Sequence, residues 1–157
     1  MQAYFPPDPI YPEGQINTLH FVTIDLDGIQ DKRNGEYCKN KLRVRWYGAT
    51  PEARLPQKAY IENKMAFLRE KRKMRVEIEL TNDQRNHPFN IKSWSNTIEQ
   101  RFSKLLFNYN KPLIPLMISK YQRQRYIDPG SDLRIALDQN IHVSRYSSDY
   151  KIWFMTS

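Results

Sequence analysis

The chain has 157 residues, with 25 Lys plus Arg against 17 Asp plus Glu, a net charge of +8, 39% hydrophobic residues and a single cysteine. That is apolar material for one core without surplus, while 7 Phe, 10 Tyr and 3 Trp are too much apolar surface for a disordered chain and 5 Gly exclude collagen-like or linker compositions. Cys38 alone forms neither an internal disulfide nor a thiolate zinc site, which suits a reducing, cytoplasmic setting.

No stretch approaches the roughly 20 apolar residues of a bilayer-spanning helix. The opening MQAYFPPDP has neither the basic start nor the apolar run of a signal peptide. Residues 41–75 hold 11 basic and 3 acidic side chains, and the rest of the chain holds 14 of each sign. The whole charge excess therefore sits in one segment, which points to a localised anion site rather than a generally basic surface.

Up to residue 14, four prolines (Pro6, Pro7, Pro9, Pro12) predict an extended lead-in. Residues 16–23 are β-branched and aromatic enough for a strand, and residues 25–35 read as a turn or short helix closed by Asn34-Gly35. Residues 41–47 alternate, with Lys41, Arg43 and Arg45 on one face and Leu42, Val44 and Trp46 on the other. Residues 58–65 and 71–80 predict a hairpin whose strands put Lys58, Tyr60, Glu62 and Lys64, and then Lys71, Lys73, Arg75, Glu77 and Glu79, on one side. The period then changes to helical over residues 93–109, with Asn96 and Glu99 as a capping box and Ile98, Phe102, Leu105 and Tyr109 on one stripe. Residues 116–127 and 133–137 return to strand around the turn at Asp128-Pro129-Gly130.

Charged faces on several strands suit an enclosed anion. Arginine offers bidentate hydrogen bonds to phosphate oxygens, and lysine adds point charge. Glu62 reads as an ion-pair partner or as a carboxylate for a hard divalent cation. The aromatics lie mainly on the faces opposite the cations, which disfavours RNA-type recognition. His20, His87 and His142 are isolated and read as structural.

The strings Gln15–Phe21 (QINTLHF), Lys41–Gly48 (KLRVRWYG), Tyr60–Lys64 (YIENK), Tyr121–Tyr126 (YQRQRY) and Leu133–Asp138 (LRIALD), in this order, resemble the vacuolar transporter chaperone (VTC) domain. That is the polyphosphate polymerase branch of the CYTH-like triphosphate tunnel metalloenzymes. The resemblance runs over residues 16–143 of a single domain spanning 1–157, with 1–14 as lead-in and 144–157 as tail. It implies an α+β fold, an antiparallel β tunnel or barrel with at least one packed helix. It also implies ATP, inorganic polyphosphate or triphosphate as ligands, a divalent cation (Mn or Mg), and transfer of the γ-phosphoryl group of ATP to polyphosphate. Related branches hydrolyse triphosphates, so a triphosphatase is the neighbouring expectation; a non-catalytic module for polyphosphate, inositol phosphates or nucleic acid is the alternative. Carried over by motif, Arg43, Arg45, Lys64, Lys73, Arg123 and Arg134 would bind phosphate, and Glu62 would be the metal candidate. The family's first strand, with its metal-binding carboxylates, and its last, with a glutamate and a closing lysine, have no legible counterpart. The barrel is accordingly expected to be incomplete and to need a partner or further segment to close it.

Overall fold

A computed structural model describes residues 5–11, 13–23, 38–50, 54–67, 70–102, 113–131, 133–145 and 153–156. Seven strands and two helices follow in chain order: β1 (Gly14–Thr23), β2 (Cys38–Tyr47), β3 (Lys58–Phe67), β4 (Glu70–Glu79), α1 (Asn82–Asn86), α2 (Ile91–Phe102), β5 (Leu113–Ile127), β6 (Arg134–Arg145) and β7 (Trp153–Thr156). All neighbouring strands are antiparallel, in the order β4-β3-β2-β1-β5-β6-β7. The α+β class and the antiparallel sheet are as the sequence predicts. The sheet is open among the described residues, with β4 and β7 at its edges and not paired to each other.

Alternation builds the core. Leu19 and Phe21 from β1, Leu42, Val44 and Trp46 from β2, Ala59 and Ile61 from β3 and Ile78 from β4 bury one face. Trp94 and Ile98, one helical turn apart on α2, join the same cluster. Phe21 and Trp94 meet edge to face with ring centroids 5.5 Å apart, and Trp94 Nε1 donates to the Pro88 carbonyl at 2.8 Å.

The capping box is not at Asn96 and Glu99. Asn96 lies inside α2, and the reciprocal pair is Thr81 with Gln84 at the start of α1: Thr81 N donates to Gln84 Oε1 at 2.9 Å and Gln84 N to Thr81 Oγ at 3.2 Å. Gln84 is buried and also donates to the Ser93 carbonyl and to Thr97, tying α1 to α2. The expected turn at 25–35 and the helical positions Leu105 and Tyr109 lie outside the described residues.

Two irregularities set the sheet's shape. Pro115 has no N–H to give the ladder, and the β1–β5 register shifts beside it, between His20 and Phe21. The β5–β6 register shifts between Lys120 and Gln122, opposite Asn140, whose φ of 52° is one that asparagine tolerates better than most residues. The proline-rich lead-in is held as an extended strap on β5: Pro7 bridges Tyr126, Ile127 N donates to the Pro6 carbonyl at 3.0 Å, and Asp8 N to the Arg125 carbonyl at 2.9 Å.

Candidate functional site

The face opposite the core is cationic because every strand contributes alternate residues to it and the registers bring them into rows. Lys41 stands opposite Lys64, and Lys64 opposite Lys73. The next row is Arg43, Glu62 and Arg75, and the one after it continues through Ser119, Thr18, Arg45 and Tyr60. Ile16 then lies between Tyr47 and Tyr121, and beyond it Gly14 pairs with Arg123, Arg123 with Asp138, and Ile127 with Arg134. Arg43, Arg45, Lys64, Lys73, Arg123 and Arg134 all project from this one face. Arg43, Arg45, Lys64 and Lys73 share the β2–β4 side, whereas Arg123 and Arg134 stand on β5 and β6.

The centre is organised by Glu62, which is 1% exposed. Arg43 Nε donates to its Oε2 at 2.7 Å, Arg45 Nη1 lies 3.7 Å from the same oxygen, and Arg75 Nε lies 3.7 Å from Oε1. Oε1 accepts no hydrogen bond. Three guanidinium groups around one carboxylate leave an excess of two positive charges. Each opposed pair at about 4 Å carries on the order of 4 kcal/mol at an effective dielectric of 20, so the surplus is a strong local field. Arg75 was not among the motif-matched residues. Its alternation with Lys71 and Lys73 was visible in the sequence, but its place opposite Glu62 depends on the β3–β4 register.

Lys64 and Lys73 have no such counter-ion: among the described residues no carboxylate pairs with either. Like charges directly opposite on neighbouring strands are unfavourable unless an anion lies over them. The β5–β6 side is different again. Arg123 binds Asp138 through two hydrogen bonds of 2.6 and 2.7 Å, and Arg134 lies 3.5 Å from buried Asp8 and over the Tyr11 ring. The hydrogen bond from Arg123 holds the Asp138 carboxyl below its usual range, and Arg125 and Arg45 add smaller pulls.

Three aromatic residues complete the face. Arg75 lies over Tyr60 at 3.9 Å and Tyr47 at 5.4 Å, and Arg123 over Tyr121 at 5.2 Å. His20 shares the face, its Nε2 2.9 Å from Ser119 Oγ. Burial first, then Arg43, Arg45 and Lys41, push its pKa down to about 4, so the ring is neutral at pH 7. Gly48, which ends β2, has a φ of 83° that favours glycine; its N donates to the Gln15 carbonyl and its own carbonyl accepts from Asn17 Nδ2 at 3.0 Å.

β4 and β5 are separated by three strands, roughly 19 Å in a flat sheet at the usual spacing of about 4.8 Å. Yet Arg75 of β4 and Arg125 of β5 line one cavity of about 480 Å³ together with Tyr11 and Tyr47, so the face curls inward at this end. A divalent cation held by the protein alone does not fit the centre. Glu62 brings one carboxylate, and both its oxygens are faced by guanidinium groups. Among the described residues no group of three or more His, Cys, Asp or Glu is gathered, and no helix is long and apolar enough to cross a membrane.

A search of curated proteins finds no match for this chain. A scan against protein-family models matches the VTC domain over residues 4–157. The family that the RxRWYG, ExK, YxR and RxxLD strings resemble is thus the one that the match shows, and the chain belongs to the VTC domain family.

Proposed function

We propose that the cationic face binds the triphosphate of ATP and inorganic polyphosphate, and that the chain serves transfer of the γ-phosphoryl group of ATP to polyphosphate. Family membership supports this reading. The observation that carries it is the arrangement of Arg43, Arg45 and Arg75 around a single buried carboxylate, beside the opposed pair Lys64 and Lys73. Such a surface is complete only with a multivalent anion on it. The curled, open sheet would then be the wall of the tunnel that the family resemblance implies.

In the transfer, the bond between the γ-phosphorus and the β–γ bridging oxygen breaks, a terminal polyphosphate oxygen bonds to that phosphorus, and ADP leaves. There is little for a protein to do beyond aligning the two oxygens and stabilising the charge on the transferred group. Arg43 and Arg45 would hold phosphate oxygens through paired N–H donors, while Lys64 and Lys73 would meet the chain as point charges. Manganese or magnesium would arrive as the counter-ion of ATP.

The test is calorimetry with tripolyphosphate, together with incubation with ATP and Mn or Mg followed by assay of polyphosphate and ADP. Arg43→Ala combined with Arg45→Ala should weaken tripolyphosphate binding roughly 100-fold or more, as expected for two charge-assisted contacts. Unchanged affinity overturns the site. Retained binding with no product removes the transferase and leaves a polyanion-binding module.

A further inference from the structure

Arg123 and Arg134 stand on the same side of the face, but their carboxylates differ in what each loses when its arginine leaves. The Asp138 side chain is 32% exposed, so water can take the place of Arg123 around it. The Asp8 side chain is 0% exposed, while that of Arg134 beside it is 49% exposed. Asp8 Oδ1 accepts from the backbone N–H groups of Ile10 and Tyr11 at 2.9 and 3.1 Å. Oδ2 accepts no hydrogen bond, and among the described residues its ion pair is with Arg134 Nε, 3.5 Å away. Tyr11 of the same strap packs against the Arg134 guanidinium.

A buried carboxylate stripped of its cation is left uncompensated, at far greater cost than the loss of an exposed pair. An anion that draws Arg134 away must therefore also bring Asp8 into water. Asp8 does not reach water alone, because the strap is tied to β5 there: Ile127 N donates to the Pro6 carbonyl and Asp8 N to the Arg125 carbonyl. Glu62 is buried as well, but three guanidinium groups share it, so an anion meets an excess of positive charge without stripping it.

We propose that Asp8 is a specificity-determining residue that sets which lengths of inorganic phosphate chain the face favours. A short anion sits on Arg43, Arg45 and Arg75 with the strap in place. A chain long enough to reach β6 takes Arg134 from Asp8 and releases the strap, so part of its binding energy is spent on that release. This rests on the reading of the face as a polyphosphate site. β2 and β6 are separated by β1 and β5, three strand spacings or about 14 Å, so tripolyphosphate held by Arg43 and Arg45 does not draw on Arg134.

The experiment compares tripolyphosphate with long-chain inorganic polyphosphate by calorimetry, on the unmodified chain and on Asp8→Asn. Asparagine keeps an oxygen for the Ile10 and Tyr11 N–H groups and removes the charge. The variant should bind the long chain about ten-fold tighter, the low end for one charge-assisted contact, and tripolyphosphate within about two-fold. Unchanged long-chain affinity overturns the proposal, and so does equal tightening of both ligands, which would mean that Asp8 acts only through net charge. In an Arg134→Gln background, Asp8→Asn should no longer move the ratio of the two affinities; a shift of the same size there overturns the assignment to this pair. If neither ligand binds the unmodified chain, the polyphosphate reading has failed and this proposal with it; if both bind and the ratio does not move, only the role of Asp8 has. Hydrogen exchange on the unmodified chain is independent of any folding defect in the variants. Long-chain polyphosphate should speed exchange at the Asp8 and Ile127 amides, and tripolyphosphate should not; equal exchange with both means that the strap stays in place and the proposal falls.

Discussion

The β1–β4 part of the sheet and the β5–β6 part carry the same alternation but different burial. In the first, α2 covers one face and Trp94 sits at the centre of the core, while the other face gathers its arginines around buried Glu62. In the second, Leu133, Ile135, Leu137 and Ile141 remain exposed, and the cations are held by the solvent-accessible Asp138 and by Asp8 of the strap. Alternation therefore sorts residues between faces but does not bury them. What buries them is a second layer, and α2 supplies it to the cluster around Trp94 and Ile98, against which Leu113 and Ile118 of β5 also pack.

The largest expected difference follows from that layer. Trp94→Ala should cost about 3–5 kcal/mol, the usual loss for truncating a fully buried large aromatic, whereas Leu137→Ala should fall within about 0.5 kcal/mol. Urea denaturation of both variants checks this, and equal losses would mean that β6 is covered in solution.

The second contrast is between the two carboxylates. Glu62→Gln should destabilise by about 3 kcal/mol, the low end for breaking a buried ion pair because Arg43 and Arg75 keep part of their hydration, and should tighten tripolyphosphate binding. Asp138→Asn, on a partly exposed pair, should cost less than about 1 kcal/mol. Equal costs would show that the Glu62 cluster is no more desolvated than the surface pair.

The smallest of the three contrasts is between His20 in the folded chain and in the unfolded one. Its folded pKa of about 4 lies below the ordinary 6.5, so between these values the unfolded chain takes up a proton that the folded one refuses. Stability should fall as pH drops from about 6.5 to 4 and stop responding to this group below that. Because the ring is only part-buried, the loss should be roughly 2 kcal/mol. His20→Gln should remove that component of the pH profile; an identical profile would mean that the imidazole is not held neutral by burial and its cationic neighbours.

Much of this was legible in the sequence. The strands at Lys41–Tyr47 and Lys58–Met65 alternate with the one exception of Asn63, and their charged and apolar faces are those observed. The helix α2 was legible from its stripe but not its start: Asn96 mimics a cap, while α2 begins at Ile91, where Asn90 Oδ1 accepts from Lys92 N, and the capping box of Thr81 and Gln84 belongs to the separate α1. Asn63, on the otherwise apolar face of β3, proves wholly buried, with neither its amide nitrogen nor its oxygen hydrogen-bonded. A one-residue pattern gives no hint of what lies above that amide.

By itself the sequence determined which side chains share a face, because side-chain direction in a strand is a local property with a period of two, and it carried the family through its motif strings. Only the tertiary structure decided which of them meet. Arg75 reaches Glu62, Tyr11 reaches Arg134, and Arg75 and Arg125 come to one cavity through strand register and the curl of the sheet. Register and curl are set by pairings between residues far apart in the chain, and no local pattern encodes them.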